Sequence, residues 1–327
     1  MSRVVVFDEF GGPEVLRIVE EPVVEPAAGE VRVGVEAFAV NPLDAMMRSG
    51  AMPGAVTLPH ARLGVEGTGV VDAVGPEVTE FAVGDPVVIA AVPDAGVRGS
   101  YAEFTTLPAS RVIARPAGLT VPEAAAIWVA FSTAYGALVE RAGVRAGDHV
   151  LVTAASGAVG RAALRIAARL GAVPIAVTRH SAKAGELLAA GAAVVVATDR
   201  ENVADAVRRH TGTGADVVLD LVAGPGRRDL LAAARPGATL IAAGFLDPRP
   251  APATADSQVT IQPYRSFEHT LDPVVVARMA AALNAGIHDG APRPIIDEVF
   301  ALDEVIEAHR RLDRGAHTGK IVVTLPE

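Results

Sequence analysis

The sequence predicts an α/β protein of two domains, one rich in β-strands and one built on a doubly wound parallel sheet. Short valine-rich runs separated by glycine and proline fill the first third of the chain, which is typical of β-strands. After about residue 121, apolar runs alternate with segments of helical periodicity, which is typical of a parallel sheet covered by helices. The length of 327 residues also favours two domains, because a single core rarely grows beyond roughly 250–300 residues.

The predicted elements follow the chain in order. The first third is expected to hold strands at Arg3–Phe7, Glu30–Ala39, Thr68–Val74 and Pro86–Ala90. The alternating part is expected to hold strands at His149–Thr153, Val173–Thr178, Ala193–Ala197, Asp216–Leu221 and Ala238–Ala243. Helices are expected between them at Gly157–Leu170, Ser181–Ala190, Glu201–Thr211 and Gly226–Ala234, and the last elements at Pro273–Gly286, Asp303–Asp313 and Lys320–Leu325. We assign residues 122–263 to the parallel-sheet domain, and 1–121 with 264–327 to the β-rich domain.

Composition excludes several classes of protein. The formal net charge of -9 argues against nucleic acid as a partner, because phosphate binding needs a basic surface. No apolar run of the sequence approaches the ~20 residues of a membrane span, and Asp8 and Glu9 come too early for a signal peptide. The absence of cysteine excludes a disulfide scaffold and fits a reducing compartment. We therefore expect a soluble, cytoplasmic protein.

A glycine motif after the strand His149–Thr153 predicts a dinucleotide site. The segment Ala154–Gly160 has the layout G-x-G-x-x-G, with Ala155 in the place of the first glycine. In this layout Gly157 lets the backbone approach a pyrophosphate, and Gly160 lets the helix pack closely on the strand. The N-terminus of the helix then favours the anion. The alternative is a plain tight turn between a strand and a helix.

The end of the next strand indicates which dinucleotide binds. Enzymes that use NAD place Asp or Glu there to hold the ribose 2′-hydroxyl. This chain has Thr178 and Arg179 at that point, and Lys183 follows. Arg179 could hold a 2′-phosphate with two hydrogen bonds, and Lys183 could add a positive charge, so we predict NADPH. The alternative is a pair of solvated cations at the start of a helix, where the helix dipole disfavours them.

Further motifs extend over the whole chain. They are Gly11–Leu16, Asn41–Asp44, Gly64–Val71, Val74-Gly75, Phe81–Asp85, Gly99–Glu103, Phe131–Gly136, Ala142–Val150 and Gly319–Val323. On these motifs the chain resembles the medium-chain dehydrogenase/reductase superfamily, and within it the zinc-free quinone oxidoreductase and enone reductase branch. The resemblance implies a GroES-like catalytic domain interrupted by a Rossmann domain. It also implies a homodimer formed through the last Rossmann strand, near Val259–Ile261.

Zinc-binding members of this family hold their catalytic metal with two cysteines and a histidine. The resemblance places Asn41, Val65 and Val129 at those three positions, and the chain has no cysteine for the second family zinc. None of the eight histidines has a ligand spacing such as H-x-x-x-H. We therefore expect no metal.

The resemblance also implies a set of site residues. Asn41 is expected to offer an amide donor to the substrate or the ribose, with Asp44 orienting it, and Tyr264 is the nominated proton donor. For the Asn41–Asp44 pair the alternative is a capped turn before a short helix; for Tyr264 it is a surface position, with a bound water as the donor. The expected cofactor-binding residues are Asn41, Thr133, Ala155, Ser156, Gly157, Ala158, Val159, Thr178, Arg179, Lys183, Val222, Gly244, Phe245, Leu246 and Lys320. The expected substrate pocket is formed by Met46, Met47, Trp128, Phe131 and Phe267, although each is more often a core residue.

The implied reaction is transfer of a hydride from NADPH to a small-molecule quinone or enone. Such acceptors need no Lewis acid, because their conjugation spreads the developing charge onto a remote oxygen. The protein then has to supply positioning, a dry pocket and a hydrogen-bond donor. One alternative is an enoyl reductase that acts on a thioester or a polyketide intermediate. The other is a redox sensor that binds NADPH and has little catalytic activity.

Overall fold

The computed structural model describes residues 1–252, 258–290, 293–315 and 317–326. The chain forms two compact units, residues 1–129 with 270–327, and residues 130–269. The boundaries expected from the sequence, 121/122 and 263/264, fall at the start of the helix Val121–Tyr135 and the end of the strand Thr260–Pro263. In the described residues, no helix combines the length and apolar character needed to cross a membrane.

The strands and helices alternate with short loops along the chain. The strands are β1 (Ser2–Phe7), β2 (Arg17–Glu21), β3 (Glu30–Val40), β4 (Ala61–Arg62), β5 (Gly67–Val74), β6 (Pro86–Ile89), β7 (Phe104–Pro108), β8 (Val112–Ala114), β9 (His149–Val152), β10 (Val173–Thr178), β11 (Val194–Ala197), β12 (Ala215–Asp220), β13 (Ala234–Ala242), β14 (Thr260–Pro263), β15 (Ile296–Ala301) and β16 (Lys320–Thr324). The α-helices are α1 (Pro42–Ser49), α2 (Ala95–Arg98), α3 (Val121–Tyr135), α4 (Ala158–Arg169), α5 (Ala184–Ala189), α6 (Val203–Thr211), α7 (Arg227–Ala233), α8 (Phe267–Thr270), α9 (Pro273–His288) and α10 (Val305–Asp313). A π-helical segment, Gly136–Arg141, continues α3.

The unit formed by residues 1–129 and 270–327 is built on largely antiparallel sheets. The larger sheet has the order β15-β16-β3-β5-β6-β8, with β7 also paired to β3, and a smaller sheet has the order β2-β1-β4. Along the first part of β3, buried valines alternate with half-buried residues, as expected for a strand with one face on the core. The C-terminal strand β16 pairs with the end of β3, where Ile321 lies opposite Val40. This register brings Lys320 next to Asn41, which follows β3 directly.

The unit formed by residues 130–269 is a parallel sheet with helices on both faces. Its strand order is β11-β10-β9-β12-β13-β14, the order of a doubly wound dinucleotide-binding sheet. Val150 and Val152 of β9 pack on one face with Leu164 of α4. Leu151, between those two valines, packs on the other face with Leu230 of α7. The continuous apolar sequence of β9 follows from this burial on both faces.

The predicted fold class is confirmed, and two strands differ from the predicted elements in a way that has a physical reason. The strand β15 (Ile296–Ala301) was not expected, because its sequence I-D-E-V-F-A lacks a clear apolar face; its pairing with β16 holds it in the sheet. Strand β13 begins at Ala234, four residues before the predicted start at Ala238, and it includes Pro236 and Gly237, residue types that usually favour turns. The pairing of β13 with β12 is irregular there, and Gly237 instead donates its N–H to the carbonyl of Gln258. Tertiary pairing therefore overrides the local turn signal at this point.

Candidate functional site

The loop between β9 and α4 lies where the strand order of the parallel sheet reverses. Strands β10 and β12 flank β9 on opposite sides, so the loop after β9 emerges at the topological switch point, where ligands of doubly wound sheets bind. Ala154 adopts a left-handed conformation with φ 45°, which turns the chain before the helix. Gly157 is the N-cap of α4, and no side chain caps the helix. The first N–H groups of such a helix have no partner within it, which suits an anion.

The glycines of this loop have different roles. A Cβ at Gly160 would lie 2.6 Å from the carbonyl oxygen of Ala154 and from the Cα of Ala155, so Gly160 allows the helix to approach the loop. A Cβ at Gly157 would meet only the carbonyl oxygen of Ala154, at 3.3 Å, a close contact that is much milder than the collision at Gly160. Ala155 is fully buried, and its N–H donates to the carbonyl of Val177. Its methyl group belongs to the core, which explains alanine at the first glycine position.

A buried arginine, which was not among the predicted site residues, holds this loop in place. The Nε of Arg161 donates to the carbonyl of Ser156 at 3.0 Å, and its Nη2 pairs with Glu186 at 2.6 Å. Arg161 lies on α4 and Glu186 on α5, so the pair ties the loop to both helices. This ion pair could not be predicted, because Arg161 and Glu186 lie far apart in the sequence and each alone has the pattern of a surface charge.

Of the two cations predicted after β10, Lys183 lies beside the same loop. The Nζ of Lys183 lies 3.4 Å from the Oγ of Ser156. Arg179 is exposed, and it makes no side-chain hydrogen bond or ion pair with any part of the chain that the structure describes. Asp199 accepts the N–H of Ser181 at 3.1 Å, and this bond lowers the pKa of Asp199. Its carboxylate is therefore engaged with the protein backbone. Thr178 is buried at the end of β10.

The loops after β12 and β13 complete this edge of the sheet. The buried carboxylate of Asp220 accepts the N–H groups of Val222 and Ala223 at 3.1 and 2.9 Å, and Arg227 donates to it at 2.8 Å. A Cβ at Gly244 would collide with the backbone of Leu221, so the two loops touch through their main chains. The two residues after Gly244 present apolar side chains to solvent, since Phe245 is 45% and Leu246 56% exposed.

The Asn41 turn, in the other unit, is fixed by a buried carboxylate. Asp44 accepts the backbone N–H of Asn41 at 2.8 Å and that of Gly64 at 3.2 Å. A Cβ at Gly64, whose φ is 109°, would lie 2.7 Å from the backbone N of Ser100, so the approach of these loops requires glycine. Burial raises the pKa of Asp44 to about 6, against the opposing effect of the Asn41 N–H and of the Lys320 charge. The expected turn before a short helix is present, with Asp44 in the capping role.

The side chain of Asn41 belongs to a buried cluster of polar residues, of which Asn41 and Lys320 were predicted site residues. Its Oδ1 accepts a hydrogen bond from the Nζ of Lys320 at 2.5 Å, and its Nδ2 donates to Glu66 at 3.0 Å and to the carbonyl of Ala39 at 3.2 Å. Lys320 and Glu66 form an ion pair. The other oxygen of Glu66 accepts the backbone N–H of Val129 at 2.8 Å. Glu66 was noted only as part of a motif, and we term these residues, Asn41, Glu66 and Lys320, the ammonium cluster.

Tyr264 lies within the parallel-sheet unit and not on a surface loop. It is 4% exposed and packs in the core around β9 and α4. Its hydroxyl lies 3.3 Å from the Nδ1 of His269 and leaves no space for a Cβ at Gly136. Burial also raises the pKa of this phenol above its ordinary value. The placement gives Tyr264 a packing role and does not favour the nominated role of proton donor.

The residues expected in the substrate pocket are divided between the two units. Met47 and Trp128 are buried in the unit of residues 1–129 and 270–327, and Met46 there is half-buried. Phe131 and Phe267 are half-buried in the unit of residues 130–269, as is Thr133. Trp128 is 1% exposed, which agrees with its alternative interpretation as a core residue.

The residues at the family's zinc positions offer no ligand set. Val65 and Val129 have aliphatic side chains, and Asn41 is engaged within the ammonium cluster. In the described ranges, no group of three or more His, Cys, Asp or Glu residues is arranged to hold a metal ion. A metal held by soft or imidazole ligands therefore does not fit these residues.

Replacing Asp44 with Asn tests the pKa assigned to this carboxyl. The folded pKa of about 6 exceeds the ordinary pKa of 3.8 for this carboxyl, so the folded state binds more protons than the unfolded state between these values. The stabilisation from this protonation is complete below about pH 4 and is lost as the pH rises through about 6. We expect the free energy of unfolding of the native protein, relative to Asp44→Asn, to increase by up to about 3 kcal/mol from pH 7 to pH 4.

The measurement is urea unfolding of both proteins at a series of pH values. The exposed Glu9 supplies a control, since Glu9→Gln removes a carboxylate that makes no bond in the described structure. A difference between native protein and Asp44→Asn that is independent of pH would show that the two N–H donors keep Asp44 ionised.

Two family domains match the chain. Residues 27–117 match the family described as "Alcohol dehydrogenase GroES-like domain", and residues 190–323 match "Zinc-binding dehydrogenase". Among curated proteins, the human quinone oxidoreductase is 31% identical over 99% of this chain and 98% of its own length. A mycocerosic acid synthase-like polyketide synthase of Mycolicibacterium smegmatis is 33% identical over 92% of this chain, which corresponds to 14% of that protein.

Solved structures share the fold over nearly the whole chain. An NAD-dependent alcohol dehydrogenase superposes with a TM-score of 0.86 at 32% identity, covering 99% of this chain and 100% of that one. A mycobacterial protein complexed with NADPH gives a TM-score of 0.87 at 32% identity, over 98% and 99% of the two chains. The CurK enoyl reductase gives 0.88 at 26% identity, over 99% of both.

The two units now have their counterparts among known proteins. The largely antiparallel unit contains the GroES-like match, and the other unit has the strand order of a dinucleotide-binding domain. The human relative matches both units from end to end. The chain therefore belongs to the medium-chain dehydrogenase/reductase superfamily, in its quinone oxidoreductase branch, and is an oxidoreductase.

Proposed function

We propose that the protein is an NADPH-dependent oxidoreductase that reduces quinones or activated C=C bonds without a metal. The main support for this type of reaction comes from the side chains around Asn41. Val65 and Val129 cannot ligate a metal, and a buried ammonium, that of Lys320, stands beside Asn41. A simple carbonyl needs a strong Lewis acid, whereas a quinone or enone spreads its charge by conjugation and needs only a hydrogen-bond donor.

NADPH, when bound, supplies the hydride. In this proposal the N-terminus of α4 and the backbone at Gly157 hold the pyrophosphate. Arg179 and Lys183 hold the 2′-phosphate, and three features support this assignment. Arg179 has no protein partner in the described residues, and Lys183 lies beside Ser156 in the loop after β9. The carboxylate of Asp199 accepts a backbone N–H, so it is already engaged within the protein. The similarity to a mycobacterial protein complexed with NADPH supports the same choice, although an NAD-dependent relative is equally similar.

The remaining predicted contacts belong to the same proposal. Phe245 and Leu246 are exposed at the end of β13, where they are available to an apolar part of the cofactor. Homodimer formation through β14 is also proposed, since β14 is the outermost strand of its sheet and an uncovered edge invites pairing.

The second candidate is an enoyl reductase that acts on thioesters. Its support is the match of 92% of this chain to a segment of a polyketide synthase, together with the similarity to the CurK enoyl reductase. The hydride step would be the same, and the two candidates differ in what the substrate carries beyond the reacting double bond.

The decisive experiment is a panel assay that follows the absorbance of NADPH. Purified protein is mixed with simple quinones, enones, enoyl thioesters and, as negative controls, unconjugated ketones. We expect turnover of quinones or enones, no turnover of the ketones, and unchanged rates after treatment with a chelator. Elemental analysis accompanies the assay.

The other outcomes are equally informative. Turnover of the thioesters alone would establish the second candidate. Tight NADPH binding without turnover of any acceptor would indicate a sensor. One zinc ion per chain, with activity lost on chelation, would contradict the metal-free mechanism.

Substitution of Gly157 by Val separates cofactor binding from folding. The backbone at Gly157, with φ -75° and ψ 170°, suits any residue, and a Cβ there meets only one backbone atom at 3.3 Å. We expect Gly157→Val to keep the unfolding midpoint within a few degrees while NADPH affinity falls by more than tenfold, as measured by fluorescence titration.

Gly160→Val is the matched control, because a side chain there collides with the backbone of Ala154 and Ala155. It should lower stability by about 1–3 kcal/mol through overpacking. Native NADPH affinity in Gly157→Val would place the dinucleotide elsewhere.

Arg179→Ala tests the choice between NADPH and NADH. A charge-assisted bond to phosphate contributes about 1.5–3 kcal/mol, so affinity for NADPH should fall by roughly tenfold or more. Affinity for NADH should change little, and so should stability, because Arg179 has no partner in the described part of the chain. Arg145→Ala removes the same charge from an exposed residue before β9, at the opposite end of the sheet. Equal losses for both cofactors would make Arg179 structural.

A further inference from the structure

The amide of Asn41 has no hydrogen left to offer a substrate. A carboxamide nitrogen carries two hydrogens, and those of Asn41 are donated to Glu66 and to the carbonyl of Ala39, at 3.0 and 3.2 Å. Its oxygen accepts from Lys320. The expectation that Asn41 itself donates to the substrate would require these bonds to break.

The ammonium of Lys320, in contrast, has one hydrogen to spare. An ammonium carries three donors. The Nζ of Lys320 donates to Asn41 and to Glu66, and the third hydrogen has no acceptor within residues 1–252, 258–290, 293–315 and 317–326. Lys320 is 6% exposed, so its ammonium is largely withdrawn from water. A desolvated, unsatisfied donor forms strong bonds with an anionic acceptor.

Stability alone does not explain why this ion pair is buried. Two charges lose their hydration when they are buried, and an apolar pair of the same volume is often at least as stable. The arrangement instead orients the ammonium group of Lys320. Glu66 accepts a hydrogen bond from the backbone N–H of Val129, and the backbone N–H of Asn41 is held by Asp44. The side-chain oxygens of Glu66 and Asn41 both accept hydrogen bonds from the Nζ of Lys320. The direction of the third N–H is thereby fixed as well.

We propose that Lys320 is the catalytic hydrogen-bond donor of this enzyme, with Asn41 and Glu66 as positioning residues. The proposal rests on the proposed function. The hydride adds to the conjugated carbon of the quinone or enone, the π electrons shift to the oxygen, and Lys320 donates its third hydrogen bond to that oxygen. The ammonium keeps its proton, and the proton that completes the product comes from water. In this proposal Lys320 contacts the substrate, whereas the sequence predicts it as a cofactor-binding residue.

A double substitution, Lys320→Met with Glu66→Gln, removes the donor without leaving a buried charge. The variant should unfold near the native midpoint and bind NADPH with near-native affinity. Its kcat with the best quinone should fall by roughly 10²–10³, the loss found when a donor to a developing oxyanion is removed. Arg98→Met with Glu30→Gln removes another ion pair of the same unit and should leave kcat unchanged.

Two results of this assay would overturn the proposal while leaving the proposed function intact. Native kcat in the double variant would make Lys320 a structural partner of Glu66. A loss confined to NADPH affinity, with kcat unchanged at saturation, would return Lys320 to cofactor binding.

A binding measurement on the native protein tests the donor without turnover. The probe is 4-nitrophenolate, which resembles the anion formed on the acceptor, compared with its neutral methyl ether, 4-nitroanisole. Binding is followed by quenching of the single tryptophan, Trp128. The native protein should prefer the phenolate by tenfold or more, and equal affinity for the two probes overturns the proposal even if the double variant does not fold. If the native protein reduces no acceptor but still prefers the phenolate, the proposed function is wrong, whereas the assignment of Lys320 as a hydrogen-bond donor to an anionic oxygen is retained.

Discussion

The buried ion pair between Lys320 and Glu66 is a constraint that links distant segments of the β-rich unit. It joins the C-terminal strand β16 to the segment before β5, and through Asn41 and Val129 it also reaches α1 and α3. Removal of one partner would leave a buried charge, which costs about 3–5 kcal/mol. Asn41 and Glu66 both bond to the nitrogen of Lys320, and Val129 is joined to it through the other oxygen of Glu66. The pairing of β16 with β3 is what makes this contact, since Ile321 opposite Val40 brings Lys320 to Asn41.

In the parallel-sheet unit, the loop between β9 and α4 combines rigidity with an exposed backbone. On the proposed function, this backbone binds an anion. Packing supplies the rigidity: Ala155 is buried, Gly160 lets α4 approach, and Arg161 clamps the carbonyl of Ser156. Gly157 is the less crowded of the two glycines, since a Cβ there would meet one backbone oxygen at 3.3 Å. On the proposed function, its main role is to let a ligand approach the backbone.

The sequence allowed the architecture to be predicted because the relevant signals are local. Strand and helix periodicities, and the glycine loop after β9, depend on neighbouring residues, and the parallel sheet followed from their alternation. The site was predicted less completely because side-chain partners lie far apart in the chain. Asn41 and Lys320 were both named, but the bond between them, and the role of Glu66, depend on strand register. Tyr264 seemed accessible because its segment follows the last strand, yet tertiary packing against Gly136 buries its hydroxyl.

An ammonium and a divalent metal ion differ in what they can do to a substrate oxygen. A metal ion with an open coordination position withdraws charge strongly enough to activate a simple carbonyl or ionise an alcohol. The Lys320 ammonium carries one charge, and the neighbouring Glu66 largely cancels its long-range field. What remains is a directed hydrogen bond, effective only at short range. On the proposed function, this restricts the enzyme to acceptors that already disperse negative charge by conjugation. The absence of metal ligands at Asn41, Val65 and Val129 and the proposed choice of quinones or enones are then consistent with each other.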